Sequence, residues 1–328
     1  MRAAMVTRFG GPEVFELVEM PDPVPGAGEV LIGVEMIDTL LMETVVRSGT
    51  AQDYWPMRPP YVPGGGVAGR VLQVGEDVRQ DLLGRRVVAG IRGAENGYAD
   101  RAVAAAEAAV TVPDTVDLAV AAALVHDATT ALALFDATKV GRRDEVLVVG
   151  ASGGLGALCV QLARARAAKV VAVARGAKLA RLERYGADAL IDVDQRDWVD
   201  QARAVFGGHG ADVVLDNIGA PLGEAASTLL ARGGRFSAHG AAGGRFSSVD
   251  RQVADALNLS VTGIEVAQLA DHDRTRYIEQ ALREVAAGVI APAIGQTFPL
   301  DQAGAAHAAI ESRTVFGKTL ITAGGARP

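Results

Sequence analysis

The chain contains a single cysteine, Cys159, among 328 residues. An internal disulfide is therefore impossible, and a zinc site built from several thiolates lacks its ligands. Aromatic residues make up only 5% of the chain, and no apolar run reaches the roughly 20 residues that a membrane-spanning helix needs. The 32 Lys and Arg residues are outnumbered by 39 Asp and Glu residues, so a broad basic surface for nucleic acid is not expected.

The N-terminal residues 1–15 have no apolar core of the kind found in signal peptides. We therefore expect a cytoplasmic protein with neither a membrane nor a nucleic-acid partner. A chain of this length is expected to form about two domains.

Residues 1–112 contain short runs typical of β-strands, separated by Pro and Gly (29–36, 66–75 and 84–90). This spacing predicts a small barrel-like all-β unit. Residues 113–145 are rich in alanine and are predicted to be helical, with Asp117 as an N-cap. The final residues, 265–328, are predicted to form helices at 273–287 and 301–312 and a strand at 317–324, and to return to the first zone.

Residues 146–264 alternate between short apolar runs and helical stretches. Such alternation predicts a parallel, doubly wound sheet with helices on both faces. The predicted strands are 146–149, 170–173, 189–193, 213–216, 234–238 and 259–264, and the intervening helices are 154–167, 177–185, 197–206, 221–231 and 249–258.

The segment VLVVGASGGLG (146–156) joins a buried strand to a helix through a glycine-rich turn. Such a turn lets the backbone approach a pyrophosphate, whose charge the next helix N-terminus binds. The pattern departs from G-x-G-x-x-G because its first glycine is Ala151, and a tight turn without a ligand is the alternative. We predict that the turn binds a dinucleotide through Ala151, Ser152, Gly153, Gly154 and Leu155.

The segment after the second strand of this unit (169–182) contains no acid to bond a ribose 2′-hydroxyl. It contains Arg175 and Lys178, which attract a 2′-phosphate. We therefore predict NADP(H) as the cofactor; two solvated surface bases are the alternative.

These motifs, taken in order along the chain, resemble the medium-chain dehydrogenase/reductase superfamily. The resemblance is to its zinc-free NADPH:quinone oxidoreductase branch, which is zeta-crystallin-like. The matching segments are residues 1–17, 60–78, 96–100, 150–156, 186–192, 212–219, 233–240 and 316–322.

The resemblance implies an α/β fold with two domains. A GroES-like β-barrel catalytic domain (1–120, completed by 268–328) accompanies a doubly wound Rossmann NADP-binding domain (121–267). It also implies cofactor contacts by Asn217, His239, Gly240 and Lys318. It further implies a homodimer formed through the edge strand near 259–266, since an apolar edge invites pairing.

Zinc-dependent members of the superfamily carry Cys, His and Glu ligands, and here the segment that would hold the His-Glu pair is Pro-Gly-Gly-Gly (63–66). The five histidines are scattered, so we expect no metal. The chain also departs from the branch's Asn-x-x-Asp-x-x-x-Arg-x-Gly segment. It retains Arg47 and Gly49 but has Leu40 and Glu43 in place of Asn and Asp. We therefore place Leu40 and Glu43 in the substrate pocket.

Tyr54 and Trp55 form an aromatic pair in a proline-rich loop and are predicted to stack on a small flat apolar substrate. Closing the barrel or an interface is the alternative role. His126 and Asp127 interrupt an alanine-rich run and are the predicted catalytic pair that supplies a proton. The alternatives are a structural role for His126, His239 as the donor, and protonation by solvent.

The sequence therefore predicts an NADPH-dependent enzyme that transfers hydride to a quinone or an α,β-unsaturated carbonyl. Two alternatives remain: an alcohol/ketone oxidoreductase of the same superfamily, and a protein that binds NADPH without turnover.

Overall fold

The structure is a computed structural model that describes residues 1–52, 55–91, 93, 96–166 and 168–324. The chain forms two compact units. The first unit comprises Met1–His126, Ala270–Ala286 and the residues from Ile294 onward. The second comprises Asp127–Leu269 and Ala287–Ala293. The boundary after residue 126 falls a few residues beyond the one expected after residue 120.

The first unit is β-rich. A seven-stranded sheet has the order β14-β15-β3-β4-β5-β7, with β6 also paired to β3, and β1 and β2 form a separate antiparallel pair. Its pairs are antiparallel except β14 with β15. The strands are β1 (Arg2–Val6), β2 (Phe15–Glu19), β3 (Glu29–Asp38), β4 (Gly66–Val74), β5 (Arg86–Gly90), β6 (Arg101–Ala105), β7 (Ala109–Thr111), β14 (Ile294–Pro299) and β15 (Lys318–Thr322).

Four helices accompany this sheet: α1 (Leu41–Ser48), α2 (Leu118–Leu124), α9 (Asp271–Ala286) and α10 (Ala303–Glu311). Asp117 caps α2 as predicted, since its side chain accepts a hydrogen bond from Ala119 N at 2.7 Å. The predicted strands at 29–36, 66–75 and 84–90 are confirmed as β3, β4 and β5. Helix α1 was not predicted, because it is only eight residues long, begins three residues after the end of β3, and has Leu40 rather than a capping side chain at its N-cap.

The second unit contains a six-stranded, fully parallel sheet in the order β10-β9-β8-β11-β12-β13. This is the strand order of doubly wound dinucleotide-binding sheets, in which the first strand lies in the middle and the order of the strands reverses beside it. The strands are β8 (Glu145–Val149), β9 (Lys169–Ala174), β10 (Ala189–Asp192), β11 (Ala211–Asp216), β12 (Leu230–Ala238) and β13 (Ser260–Gly263).

The helices of the second unit are α3 (Asp127–Thr138), α4 (Gly154–Ala165), α5 (Gly176–Leu182), α6 (Trp198–Val205), α7 (Leu222–Ser227) and α8 (Arg251–Leu257). The six strands and five intervening helices predicted for 146–264 are confirmed in order. Helix α7 ends earlier than the predicted 221–231, because Leu230 pairs with Ala211 and starts β12.

Residues 287–293 belong to the second unit, although the tail was expected to return to the first zone. The side-chain amide of Gln161 in α4 binds both the backbone N–H and the backbone carbonyl of one residue in this segment, Ala291. Ala291 N donates to Gln161 Oε1 at 2.7 Å, and Gln161 Nε2 donates to Ala291 O at 3.0 Å. A buried amide pairing of this kind leaves no pattern in the sequence.

Among the described residues no single helix has the length and apolar composition needed to cross a membrane. One bent pair, α2 with α3, meets those two criteria only when its members are combined.

Candidate functional site

The glycine-rich turn of the second unit follows β8 and leads into α4. Gly150 has a φ of +73°, in the left-handed region that favours glycine. A Cβ on Gly156 would lie 2.3 Å from the Gly150 carbonyl oxygen, so glycine at this position permits the close approach of the helix to the turn. A Cβ on Gly153 would meet only that same oxygen, at 3.7 Å, so room remains beside the turn.

The residues predicted to bind the pyrophosphate all lie at this turn or in the first residues of α4. The first N–H groups of a helix have no intrahelical acceptor and carry the positive end of its dipole. The turn therefore has the backbone donors and the open space that a pyrophosphate requires.

Asn217 and His239 lie at the carboxyl ends of β11 and β12, close to the turn. Asn217 Nδ2 donates to Val149 O at 2.8 Å, so its Oδ1 accepts from His239 Nε2 at 3.0 Å. His239 Nδ1 then accepts from the Ser237 hydroxyl at 3.1 Å. Burial lowers the pKa of His239 to about 4, so its ring is neutral at pH 7. Gly240 N donates to the backbone of Asp216 at 2.8 Å.

Arg175 and Lys178 lie where β9 passes into α5. Burial lowers the pKa of Lys178, and the charge of Arg175 lowers it further, so the two cations interact. An anion bound between them relieves this repulsion, as a 2′-phosphate does.

An acidic residue that sequence reasoning missed lies near these two bases. Asp192 ends β10 and pairs with Ala174 of β9. A hydrogen bond from Asp194 N, at 3.0 Å, lowers the pKa of Asp192, and bonds from Gln195 and the Gly176 backbone add to this effect. The segment 169–182 itself has no acid, but the parallel pairing brings one from the neighbouring strand.

The first unit contains a buried polar cluster centred on Asp38, which is 0% exposed. Lys318 Nζ lies 2.7 Å from Asp38 Oδ1, and His126 Nδ1 lies 2.7 Å from Asp38 Oδ2. Lys318 is buried, whereas the His126 side chain remains 21% exposed. One carboxylate therefore joins an ammonium to an imidazole. We call these three residues the Asp38 cluster.

Strand pairing and a glycine explain how the Asp38 cluster forms. Asp38 pairs with Leu320, so Lys318, two residues earlier in β15, lies diagonally on the same face of the sheet. His126 lies beyond α2, next to Gly66 at the start of β4. A Cβ on Gly66 would lie 3.1 Å from His126 Cε1, so the glycine leaves space for the ring.

The charges within the Asp38 cluster set the state of its carboxyl group. Burial opposes ionisation, but the ammonium of Lys318 and the hydrogen bond from His126 outweigh it and hold the pKa of Asp38 below its usual value. Asp38 is therefore a carboxylate, which can only accept hydrogen bonds. The resemblance assigns Lys318 to the cofactor, but its pairing with a buried carboxylate favours a role in this cluster.

A second buried network surrounds Glu43, the third residue of α1. Glu43 Oε2 accepts hydrogen bonds from the Tyr98 hydroxyl at 2.7 Å and from Leu40 N at 2.9 Å. Tyr98 Oη also lies 3.0 Å from His307 Nε2. Burial raises the pKa of Glu43 to about 7, against the opposing hydrogen bonds from Leu40 and Tyr98. Burial also lowers the pKa of His307 to about 3.

The predicted pocket residues occupy different environments. Leu40 and Glu43 lie together at the start of α1, where Glu43 binds the Leu40 backbone. Trp55 is 44% exposed. Tyr54 lies outside the described residues. Arg47, retained from the family segment, is buried and forms an ion pair with Glu311.

His126 and Asp127 were predicted as one catalytic pair. His126 bonds to Asp38, which no sequence pattern indicated, because the two are 88 residues apart. Asp127 begins α3 in the second unit, and its charge contributes to the raised pKa of the buried Cys159 thiol, after burial itself.

Comparisons with known proteins agree with this architecture. A family model described as zinc-binding dehydrogenase matches residues 185–321. The quinone oxidoreductase of Rattus norvegicus is 31% identical over 331 residues, which cover 98% of this chain and 97% of that protein. A 2-haloacrylate reductase of a Burkholderia species is 29% identical and covers 97% of this chain and 98% of its own.

Two solved structures are similar over nearly their whole length. An NAD-dependent alcohol dehydrogenase has a TM-score of 0.90 at 29% identity, covering 99% of this chain and 100% of its own. An Escherichia coli quinone oxidoreductase complexed with NADPH has a TM-score of 0.88 at 26% identity, covering 98% and 100%.

These neighbours confirm the predicted fold class, a GroES-like barrel domain with a doubly wound dinucleotide-binding domain. By its similarity to the rat enzyme, the chain belongs to the quinone oxidoreductase family of the medium-chain dehydrogenase/reductase superfamily.

Proposed function

We propose that this protein is an NADPH-dependent oxidoreductase that reduces a small quinone or an α,β-unsaturated carbonyl without zinc. Relatives named quinone oxidoreductase and 2-haloacrylate reductase support this class of acceptor. The observation that carries the proposal is the glycine turn before α4, followed by the adjacent cations Arg175 and Lys178.

The residues of the second unit fit NADPH. The turn 150–156 would hold the pyrophosphate, and Arg175 with Lys178 would hold the 2′-phosphate. Asn217, His239 and Gly240, at the carboxyl ends of the strands, would lie beside the remainder of the cofactor. Bound NADPH supplies the hydride for the reduction.

His126 is the proposed donor of the accompanying proton. It is partly exposed and bonded to a carboxylate, which suits an imidazole for proton transfer. His239 is less suited, because burial keeps its pKa at about 4 and its ring neutral at pH 7. For a flat apolar substrate we propose contacts with Leu40, Tyr54 and Trp55.

The available donor atoms support a zinc-free reaction. Pro63 and Gly64–Gly66 occupy the segment where zinc-dependent members carry ligands, and Cys159 is buried in α4. In the described part of the chain, no group of three or more His, Cys, Asp and Glu side chains is arranged to hold a metal ion. Tetrahedral zinc needs three or four converging ligands.

The test is anaerobic mixing of the purified protein with NADPH and a panel of naphthoquinones and enones, followed at 340 nm. We expect acceptor-dependent oxidation of NADPH that survives chelation, with no stoichiometric zinc by elemental analysis. Stoichiometric zinc whose removal abolishes turnover would contradict the proposal.

An alcohol/ketone oxidoreductase remains the second candidate. His126 of the Asp38 cluster could serve as the acid that protonates a carbonyl oxygen. The similarity to an alcohol dehydrogenase structure also supports this class of reaction. A ketone panel in the same assay separates the two. Binding of NADPH by calorimetry without oxidation by any acceptor would instead indicate a non-catalytic binding protein.

We also propose a homodimer formed through β13, the edge strand of the parallel sheet. Val261 in this strand is 47% exposed, and an apolar edge favours pairing with a second copy. Sedimentation at micromolar concentration checks this, and a monomer there contradicts it.

A further inference from the structure

The carboxylate of Asp38 bonds to His126 in a way that determines where the imidazole carries its proton. Asp38 is fully buried and faces Lys318 with one oxygen and His126 Nδ1 with the other, each at 2.7 Å. Because a carboxylate has no hydrogen to donate, Nδ1 of His126 must carry the hydrogen of this bond. The other ring nitrogen, Nε2, takes no part in this bond.

We propose that Asp38 is a positioning residue that holds His126 in the Nδ1–H tautomer, so that Nε2 delivers the proton that completes the reduction. Lys318 assists by keeping Asp38 ionised inside the unit. This inference rests on the proposed function, because the proton acceptor is the oxyanion that hydride transfer from NADPH creates on the quinone or enone. The Nε2–H bond of the imidazolium breaks, a product O–H bond forms, and the neutral ring takes a new proton from water.

The surroundings of the Asp38 cluster support this division of roles. Lys318 contacts Oδ1 of Asp38 and His126 contacts Oδ2, so the ammonium compensates the buried negative charge without occupying the oxygen that His126 uses. Glu43, from α1, also responds to these charges: after the larger effect of burial, Asp38 raises its pKa and His126 lowers it. An imidazole bonded through Nδ1 to a buried carboxylate, with the other nitrogen exchanging protons, is an established arrangement for general acid–base work.

The experiment uses the full chain labelled with ¹⁵N-histidine and long-range ¹H–¹⁵N correlation spectra. These spectra distinguish the two neutral tautomers of each ring. We expect His126, assigned from the loss of its signals in His126→Gln, to be protonated at Nδ1 in the wild type. In Asp38→Asn, where the amide can also donate to the ring, we expect the Nε2–H tautomer to be populated.

Turnover is measured on the same variants. We expect Asp38→Asn to lower kcat at least 100-fold with little change in KM or in the Kd for NADPH, and His126→Gln to have a similar effect. Asp38→Asn leaves the buried Lys318 without its partner, which can destabilise the fold. The double variant Asp38→Asn/Lys318→Met removes both charges and therefore controls for this loss of stability. It should show the same tautomer change and the same loss of kcat.

The matched control is Asp273→Asn. Asp273 lies 3.4 Å from His272 on the surface of the same unit, where His272 is 81% exposed. This change should leave the His126 spectrum and kcat as in the wild type. The inference is overturned if Asp38→Asn keeps the Nδ1–H tautomer, or if His126→Gln retains wild-type kcat. Failure of the proposed function is distinguishable, because it appears as absence of NADPH oxidation by the wild type, whatever the tautomer of His126.

Discussion

The two units differ in how far apart in the sequence the residues of their candidate sites lie. In the second unit, the candidate cofactor site is built mainly from two short segments, 150–156 and 175–178, each at the end of a strand. In the first unit, the Asp38 cluster joins a strand end, a break between helices and a C-terminal strand, and His126 is 88 residues from Asp38. Tyr98 and His307, in the neighbouring network, are 209 residues apart. A site formed by neighbouring residues of a turn can be predicted from the sequence, whereas a site formed by tertiary contacts between distant residues cannot.

The largest effect is expected from disrupting the local turn. Gly156→Val places a side chain where a Cβ alone would lie 2.3 Å from a backbone oxygen, so the backbone must move. We expect a loss of about 3–5 kcal/mol of stability and no measurable NADPH binding. Denaturant unfolding and calorimetry measure these effects.

The control for this change is Gly141→Ala, in the same unit, where a Cβ would meet atoms no closer than 3.9 Å. It should behave as the wild type. Wild-type NADPH affinity in Gly156→Val would show that the turn does not hold the cofactor.

The second prediction concerns Glu43, which folding buries in the first unit beside the distant residue Tyr98. Its folded pKa of about 7 exceeds the usual 4.5, so the folded state binds more protons than the unfolded state between these values. The contribution of Glu43 to stability therefore falls as pH rises from about 4.5 to 7. His307, with its pKa lowered to about 3, has the opposite effect as pH rises from about 3 to 6.5.

The variant Glu43→Gln isolates the first of these two effects, because His307 is common to both proteins. Its stability relative to the wild type should increase by about 2–4 kcal/mol between pH 4.5 and 7. Unfolding in urea at several pH values measures this difference. A difference that stays constant with pH would mean that Glu43 ionises normally in the folded protein.

The third prediction returns to the second unit. Arg175→Ala/Lys178→Ala should weaken NADPH binding about 10- to 100-fold, or about 1.4–2.8 kcal/mol, because the 2′-phosphate loses its cationic partners. NADH binding should be unaffected. The exposed Arg232, changed to Ala, is the matched control for loss of positive charge. Equal weakening of NADH and NADPH binding would exclude recognition of the 2′-phosphate by this pair.

The smallest effect is expected at Asp192, an acid that the pairing of β10 with β9 brings near the proposed 2′-phosphate site. Asp192→Asn should tighten NADPH binding about two- to fivefold, since a negative charge near the 2′-phosphate is removed. NADH binding should change little. Asp200→Asn, an exposed acid on α6, serves as the control. Weaker NADPH binding in Asp192→Asn would mean that its hydrogen bonds to the loop matter more than its charge.

The parallel unit was predictable because each element is defined by consecutive residues. Continuous apolar runs such as 146–149 and 213–216 mark strands covered on both faces, and glycines mark the turns between them. The end of α7 was predicted too late, because the leucines around residue 230 are compatible with a helix and only pairing with Ala211 makes them a strand.

His126 was found from sequence as a polar interruption in an alanine-rich run, but its partner was not. Asp38 is the last residue of β3, and acidic residues are common where a strand passes into a loop. Its type and position in the sequence therefore do not distinguish it as the partner of His126. The pairing of β3 with β15 places Lys318 beside it, and the missing side chain of Gly66 leaves room for the imidazole ring. One available clue was the glycine run 64–66, which indicates close approach by another group.

The sequence by itself determined the two-domain class, the parallel sheet and the position of the glycine turn, because strand, turn and helix preferences act over neighbouring residues. Only the tertiary structure decided that Asp38 ionises beside Lys318, that His126 bonds to it through Nδ1, and that Glu43 is buried beside Tyr98. These properties depend on burial and on charges brought within a few ångströms by folding, and no local pattern of residues specifies them.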